Sequence, residues 1–590
     1  MPPLLHLALA QRTPRMGDYT GNLARLGELF ARVDVLDPRP TVLQLPETAL
    51  TGYFLEGGVR DVAVTAGTFA DDLQRTYGER AQPLDVVAGF YEVWQSTLYN
   101  SAMYVTLGSE GPIIRHVHRK TFLPTYGLFD EERFVERGFD VRAFDTSWGR
   151  AAILVCEDAW HSLTPAIAAL DGAQVIFLCA AAPARGTWPR EDCVSRPASV
   201  ERWERLVRDI AEEHGVFVAL TGLAGTEGGK AFNGSSFVAG PAGDVRVRAP
   251  VFGEALLPAT CDLSDIARAR ADVPLLSDLR TNLPSLRAAL DRVGTHAPAA
   301  PYDVATAPAT CVPRDASAGG PPPLTIDPAL TEQWLVHFIR DELARRGFTK
   351  ALVGLSGGVD SAVTAYLATR ALGAANVTGV RMPYRTSSPE SLAHAELVID
   401  ALGIPSRTVD ISPAVDGYLA TQPDADPARR GNVMARMRMI VLFDLSARDS
   451  ALPLGTGNKT ERLFGYFTWH ADDSPPINPL GDLYKSQVWS LARHLGVPSV
   501  IVEKPASADL ISGQTDEGDF GISYARADEI LNWLLAGYTP SELLARGFDP
   551  ADVDLVRRRL AGTHWKRRLP TVAMLSPTAI NESYLRPVDY

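Results

Sequence analysis

Three short runs in the first half of the chain carry residue types that could act together on an amide. Glu47 lies in LQLPETALTGY, just beyond an apolar stretch. Lys120 lies in HRKTFLPTYGLFDEERF, and Cys156 in ILVCEDAW at the end of another apolar stretch. A thiol needs a base to become a nucleophile, and a carboxamide needs a cation or N–H groups where its oxyanion forms. Cys156, Glu47 and Lys120 supply one of each. The second half carries a different chemistry. The run 355–361, LSGGVDS, falls where a buried strand must turn sharply into a helix. Ser356, Gly357 and Gly358 leave little side chain at that turn, so backbone N–H groups and the positive helix end can face phosphate oxygens. The GxxxxGK[ST] pattern of a Walker loop, with its phosphate-binding lysine, is absent there.

Elements able to position these groups follow from apolar patterning. Runs rich in Val, Leu and Ile recur at 4–10, 41–45, 85–90, 103–107, 151–156, 175–179 and 217–221, with helical segments at 18–33 and 199–213 between some of them. This predicts an α/β domain of many strands over 1–263. From 264 to 325 the character changes and ends in HAPAAPYDVATAPATCVPRDASAGGPPP, which reads as a Pro/Ala-rich linker on a surface, partly ordered by packing. Beyond it, a helix at 330–346, a strand at 351–355, a helix from 361, and alternation through 377–382, 391–402, 407–411 and 431–448 predict a doubly wound parallel sheet in a domain spanning 326–590.

Composition narrows the classes of function. A chain of 590 residues exceeds what one hydrophobic core holds, and 46% hydrophobic with 22% charged residues is ordinary for a folded protein. A net charge of -13 without a basic cluster argues against a nucleic-acid partner. The five cysteines, at 156, 179, 193, 261 and 311, lack CxxC spacing and read as reduced thiols of a cytoplasmic protein. No stretch is long and apolar enough to predict a membrane span or a secretion signal.

The 355–361 run resembles the pyrophosphate loop of ATP pyrophosphatases, which split ATP between its α and β phosphates. The segments RMPYRTSSPES (381–391), GNVMARMRM (431–439), LGTGNKTERLFGYFT (454–468), INPLGDLYKSQV (477–488) and EKPASADLISGQTDE (503–517) are similar, in order and spacing, to the NAD synthetase family within that group. The resemblance implies ATP-binding by Gly354, Leu355, Ser356, Gly357, Gly358, Val359, Asp360 and Ser361, with Thr456, Lys485 and Ser507. It implies Mg²⁺ on Asp360 and Glu461. It also implies a dinucleotide substrate, deamido-NAD, lined by Asn432, Glu461, Tyr466, Phe467, Thr468, Trp469 and Asp472, with Lys566 reaching it from THWKRRLP (563–570). One departure is visible: many relatives carry a GDG turn where this chain reads ADDSPP (471–476), so the Asp is kept and its flanking glycines are lost.

Glu47, Lys120 and Cys156, in that order with those flanks, resemble the nitrilase superfamily over about 4–260, which implies a four-layer αββα sandwich. The implied roles are Cys156 as nucleophile toward glutamine, Glu47 as proton carrier, and Lys120 with the Glu157 N–H at the oxyanion. Tyr126 matches a glutamine-contacting position, and Glu132 the auxiliary carboxylate near the lysine. Arg185 and Arg190, in AAAPARGTWPREDCVSRP, are the candidates for the α-carboxylate of glutamine.

Joined, the two resemblances imply glutamine-dependent NAD synthesis: ammonia from glutamine, ATP as co-substrate, an acyl adenylate, an ammonia channel, and a homo-oligomer, dimer or octamer. Two alternatives stay open at this point. The acid substrate could be that of another amidotransferase of the pyrophosphatase group, or the nitrilase-like half could be a non-catalytic scaffold.

Overall fold

The computed structural model describes residues 4–80, 82–189, 195–293, 320–507 and 515–567. The chain divides into two compact units. One holds Met1–Arg185 and Ala198–Ala316, and the other Gly186–Pro197 and Ser317–Ala573, with Met574–Tyr590 grouped with the first.

The first unit is built on two six-stranded sheets. In one, Leu4–Gln11 lies antiparallel to Ala255–Asp262 and parallel to Val42–Gln44, which continues through Leu84–Trp94 and Thr97–Leu107 to the edge strand Ile113–Arg119. In the other, Arg150–Val155, Val175–Ala180 and Phe217–Gly222 run parallel. Ala143–Asp145, Phe237–Ala239 and Val245–Arg248 extend that sheet antiparallel. Alternation along each strand sorts the core into layers. Leu5, Leu7, Leu9 and Val87 meet Ile153, Val155, Phe177 and Phe217 between the sheets. Their neighbours Ala8, Ala10, Val86 and Ala88 face the helices Tyr19–Asp34 and Ala66–Tyr77 through Phe30, Val33, Phe69 and Leu73. Leu154, Ile176, Leu178 and Val218 face Ala198–His214 through Val207, Ile210 and Ala211. The result is helix, sheet, sheet, helix.

The stretch expected as linker opens with two helices, Ser264–Asp272 and Leu275–Leu290. Leu276 is buried in the same core as Val207 and Ile210, which holds the second helix against the domain. The Ala/Pro-dense part, 294–319, lies outside the described residues.

The second unit centres on four parallel strands in the order Ser406–Thr408, Val377–Arg381, Ala351–Gly354, Leu452–Leu454. Val363 and Leu367 of helix Val359–Leu372, Ile339 and Leu343 of Pro328–Arg345, and Leu491 of Lys485–Leu495 join one core with Val353. Met434, Leu442 and Leu445 of Pro427–Asp449 and Val415 of Ser412–Leu419 join Leu352 and Val380 in another. A further layer of helices, among them Tyr524–Leu535 and Pro550–Gly562, gathers on Phe464, Phe520, Tyr524 and Leu531. Chain order runs outward from Ala351–Gly354 on one side and returns to its other side at Leu452–Leu454. Beyond the carboxyl ends of those two strands an open α/β sheet leaves its crevice. No helix among the described residues is long and apolar enough to cross a membrane.

Candidate active sites

Glu47, Lys120 and Cys156 converge. Lys120 Nζ donates to Glu47 Oε1 at 2.9 Å and to Glu131 Oε2 at 2.7 Å, and none of the three side chains is more than slightly exposed. Asn100 Nδ2 bridges the same two carboxylates, donating to Glu47 Oε1 at 2.7 Å and to Glu131 Oε1. Glu47 Oε2 accepts from the Ala181 N–H at 2.7 Å. The backbone at Glu47 is set tightly against Gly89, where a Cβ would sit 2.6 Å from Glu47 Cα. Burial opposes the charge on Lys120, but Glu131 and Glu47 outweigh it and hold the ammonium's pKa above its ordinary value. An ammonium has three N–H donors, so one remains for a substrate oxygen.

Cys156 opens the short helix Cys156–Trp160 at φ 47, a left-handed conformation that costs a non-glycine residue free energy and turns the thiol off the strand end. Burial pushes its pKa well up, Glu47 pushes it further, and Lys120 and the Ala181 backbone pull it down. The resting sulfur is therefore a thiol, and its proton has to move when substrate arrives. Glu47 Oε2, with a lone pair left beside the Ala181 bond, can take it.

Besides Asn100 and Tyr53, two residues not singled out in the sequence shape this site. Glu131, not Glu132, is the second carboxylate on Lys120. Glu132 instead pairs with Arg137 and accepts from Thr125 Oγ1 at 3.4 Å. The turn Glu131–Arg133 decides this, because the Glu131 N–H bonds Pro124 O at 3.1 Å and aims that side chain inward. Tyr53 Oη adds a bond to Glu131 Oε2 at 3.0 Å. Asp158 is the other residue. Its Oδ1 accepts the N–H groups of Thr121 and Phe122 at 2.9 and 3.0 Å, and its Oδ2 pairs with Val155 N at 3.1 Å and His118 Nε2 at 2.8 Å. Fully buried, it ties the Cys156 turn to the segment bearing Lys120.

Tyr126 is exposed, and its hydroxyl donates to the Glu157 carboxylate at 3.0 Å. Tyr53, Phe54, Phe129 and Phe232 stack nearby, with the Tyr53 ring centroid 5.5 Å from Lys120 Nζ, which keeps that side of the site apolar. Arg185 is exposed, its N–H on Ser199 Oγ at 3.1 Å. Arg190 lies outside the described residues, as do Cys193 and Cys311, while Cys179 and Cys261 are buried in the core.

In the second unit the diglycine bend takes the form the sequence implied. Gly357 has φ +79, and a Cβ there would lie 2.2 Å from Ser391 O, so only glycine fits. Gly358 begins the helix Val359–Leu372 without a side-chain cap, which leaves its first N–H groups for a ligand. Ser361, buried, bonds Gly358 O at 2.9 Å and Ser356 Oγ at 3.2 Å and fixes the bend; Val359 and Leu355 are buried beneath it. A cleft of about 170 Å³ opens at the sheet's crevice, lined by Gly354, Leu355 and Ser356 on one strand end, Leu454, Gly455 and Thr456 on the other, and Met382 and Leu442 below. Asp472 reaches its rim.

Lys485 Nζ bonds Asp360 Oδ2 and lies 3.4 Å from Glu461 Oε1. Asn458 bonds Asp360 Oδ1 at 3.0 Å and caps Glu461's helix. Tyr524 Oη reaches Asp516 Oδ2 at 2.9 Å and Glu461 Oε1 at 3.3 Å. Burial pushes the Glu461 carboxyl up; Lys485 pulls it down, Asp360 and Asp516 push it up, and it rests at about 7. Among the described residues no three His, Cys, Asp or Glu side chains form a ready cage for a metal ion. The donor set nonetheless fits Mg²⁺, which is held by one or two carboxylates with substrate phosphates completing the shell. Asp516 Oδ1 is buried without a hydrogen-bond partner, and carboxylates outnumber the ammonium here.

The remaining candidates gather around 465–472. Asn432 Oδ1 accepts from Thr468 Oγ1 at 3.2 Å, and the Thr468 N–H bonds Asp472 Oδ1 at 2.8 Å, so Asp472 is held without the missing glycines. Lys566 Nζ bonds Gly465 O and Phe467 O at 2.9 and 3.1 Å and lies over the Phe467 ring. Tyr466 Oη bonds Asp519 at 2.7 Å, and Trp469 meets Trp565 edge to face at 5.3 Å. Ser507 is exposed beside the cleft-bearing domain's undescribed segment 508–514.

Comparison with known proteins agrees with both halves. The NAD synthase family model matches residues 331–570, and the carbon-nitrogen hydrolase family model matches residues 6–271. Over 257 residues the chain is 50% identical to an NH(3)-dependent NAD(+) synthetase of Chlorobaculum parvum, covering 43% of this chain and 93% of that protein. Glutamine-dependent NAD+ synthetases from Acinetobacter baumannii and Cytophaga hutchinsonii share the fold. Their TM-scores are 0.68 and 0.69 at 23% and 16% identity, over 97% and 96% of this chain and 95% and 93% of theirs. The uncapped diglycine bend, the crevice cleft and half-identity over nearly the whole of a curated relative lead to one statement: the chain belongs to the NAD synthase family and carries, ahead of that domain, a carbon-nitrogen hydrolase domain.

Proposed function

We propose that this protein makes NAD from deamido-NAD, ATP and glutamine. The observation that carries the reading is the coexistence in one chain of a buried thiol beside a carboxylate–lysine–carboxylate cluster and an uncapped glycine-loop helix over a crevice. A thiol site alone would serve many amidases, and a phosphate loop alone many ligases. Together they pair a source of ammonia with a consumer of it.

At the first site Cys156 attacks the side-chain carboxamide of glutamine, Glu47 takes the thiol proton and returns it to the leaving ammonia, and Lys120 faces the oxyanion. Water then releases glutamate from the thioester, with Glu47 as base. At the second site the nicotinate carboxylate of deamido-NAD attacks the ATP α-phosphate. The N–H groups of the first helical turn after Gly358 and the Lys485 ammonium face the phosphate oxygens, and pyrophosphate leaves. Ammonia displaces AMP from the acyl adenylate. Asp360 and Glu461 would hold Mg²⁺, which would supply charge neutralisation at the phosphates. Free ammonia is mostly protonated near pH 7 and then has no lone pair, so a sheltered passage from its source would keep it reactive.

NAD formation is measured with glutamine or with ammonium as nitrogen source. Cys156→Ala should lose glutamine-driven synthesis by at least about 10³-fold and keep ammonium-driven synthesis. Equal loss of both would sink the division of labour, and absence of glutamate release from the unaltered protein would favour a scaffold role for the first domain.

A further inference from the structure

A lysine bonded to a wall residue of the second unit's cleft has no work among the roles above. Lys504 is half-buried, and its Nζ donates to Ser391 Oγ at 3.1 Å. Ser391 is itself buried, lines the cleft, and presents the carbonyl against which Gly357 is pressed, 2.2 Å from a would-be Cβ. One serine therefore touches both the diglycine bend and the Lys504 ammonium.

Lys485 and Lys504 differ in what neutralises them. Lys485 is clamped by Asp360 and Glu461, so much of its charge is already spoken for. No carboxylate among the described residues pairs with Lys504, whose partner is a neutral hydroxyl. Two of its N–H donors and its full charge remain open. A half-buried ammonium without a counter-charge is costly, and an arriving anion relieves that cost. We propose that Lys504 is a second phosphate-contacting residue of the synthetase reaction, meeting the β- and γ-phosphate oxygens of ATP and the pyrophosphate as it departs, with Ser391 as its positioning residue. In the adenylation a carboxylate oxygen bonds to the α-phosphorus, the bond from that phosphorus to the bridging oxygen breaks, and the electron pair leaves on pyrophosphate. Lys504 supplies charge where the negative charge grows, and its flexible stem lets it follow the leaving group.

The proposal rests on reading this domain as an ATP-splitting synthetase, and the experiment separates the two. The full chain is assayed with Mg²⁺, saturating ammonium and deamido-NAD, and varied ATP, with added inorganic pyrophosphate as product inhibitor. If the unaltered protein forms no AMP and pyrophosphate, the reading of the domain fails. If it does, Lys504→Met is expected to raise the KM for ATP and the inhibition constant of pyrophosphate by about tenfold or more, the scale of one charge-assisted hydrogen bond. The KM for deamido-NAD should stay within about twofold, and Lys504→Arg should recover most of the loss. Unchanged ATP and pyrophosphate constants in Lys504→Met, or equal loss in the Met and Arg variants, overturn the proposal. Ser391→Ala gives a milder second reading: it should weaken pyrophosphate inhibition in the same direction, and an unaltered constant there removes the positioning role.

Discussion

Each half of the chain sets a buried lysine between two carboxylates, and the surroundings make the two clusters opposite in kind. Lys120 lies between Glu47 and Glu131, and neutral protein donors brace both acids: Asn100 across the two, Ala181 N–H on Glu47, Tyr53 Oη on Glu131, with one Lys120 N–H kept for substrate. Lys485 lies between Asp360 and Glu461, but a third acid, Asp516, stands beside them with one oxygen unsatisfied, and the Glu461 carboxyl is pushed up to about 7. The first cluster is complete before substrate arrives. The second is short of positive charge and is finished by what binds to it. A preorganised cluster suits a small neutral amide whose charge appears only in the transition state. An acid-rich cluster suits a polyphosphate that brings its own cation.

The largest effects should come from opening the closed cluster. Lys120→Met leaves Glu47 and Glu131 buried together without their cation, which typically costs about 3–5 kcal/mol. Glutamine hydrolysis should fall by at least about 10³-fold, with the oxyanion and the proton carrier both disturbed. Glutamate release and thermal unfolding read both effects. A variant that retains a tenth of the activity would show that the cluster is not what makes the thiol work. Glu131→Gln should cost less, about 10²-fold in kcat, because Asn100 and Tyr53 still hold the position while the charge on Lys120 loses one of its two partners.

How far the sequence could foresee this depends on what each feature needs. Glu47, Lys120, Cys156 and the diglycine bend announce themselves because each sits where an apolar run stops, and the chemistry demands those side chains. Glu131 hides among the consecutive acids of DEERF. Strand or helix periodicity does not say which one points inward, since a single turn pinned by Pro124 O decides it. Asp158 and Asn100 are similarly silent: their work lies largely in bonds to residues 31 to 53 positions away. The helices Ser264–Asp272 and Leu275–Leu290 were masked by the Ala/Pro-rich stretch that follows them. Only the packing of Leu276 against the helix Ala198–His214 assigns them to the domain. The strand Ile113–Arg119 went unseen because an edge strand with an exposed start, Ile113 to Arg115, alternates weakly.

The open cluster should answer to pH and metal where the closed one does not. In the proposed site Mg²⁺ would bind the ionised Glu461 carboxylate, and a carboxyl at about 7 is largely protonated at pH 6 and largely ionised at pH 8. The Mg²⁺ concentration giving half-maximal ammonium-driven synthesis should therefore rise about tenfold from pH 8 to pH 6. The metal-free protein should move the other way. Between the ordinary value of 4.5 and about 7 the folded state holds more protons at Glu461 than the unfolded one, so raising the pH through that window lowers stability. Added Mg²⁺ should restore it. A half-saturation point independent of pH would mean that Glu461 does not hold the ion.

The smallest effect separates two adjacent residues. Glu132 is the acid that family spacing assigned to Lys120, yet its side chain is a third exposed and pairs with Arg137, itself more than half exposed. An ion pair in that setting is worth about 0–1 kcal/mol and is screened by salt. Glu132→Gln should thus change glutamine kcat/KM by less than about twofold, while Glu131→Gln, one position earlier, loses about 10²-fold. Measured side by side, the two substitutions locate the second carboxylate without any assumption about the rest of the site. If Glu132→Gln proved the more damaging, the turn Glu131–Arg133 must rotate when glutamine binds, and the first cluster would no longer be the one that is complete before substrate arrives.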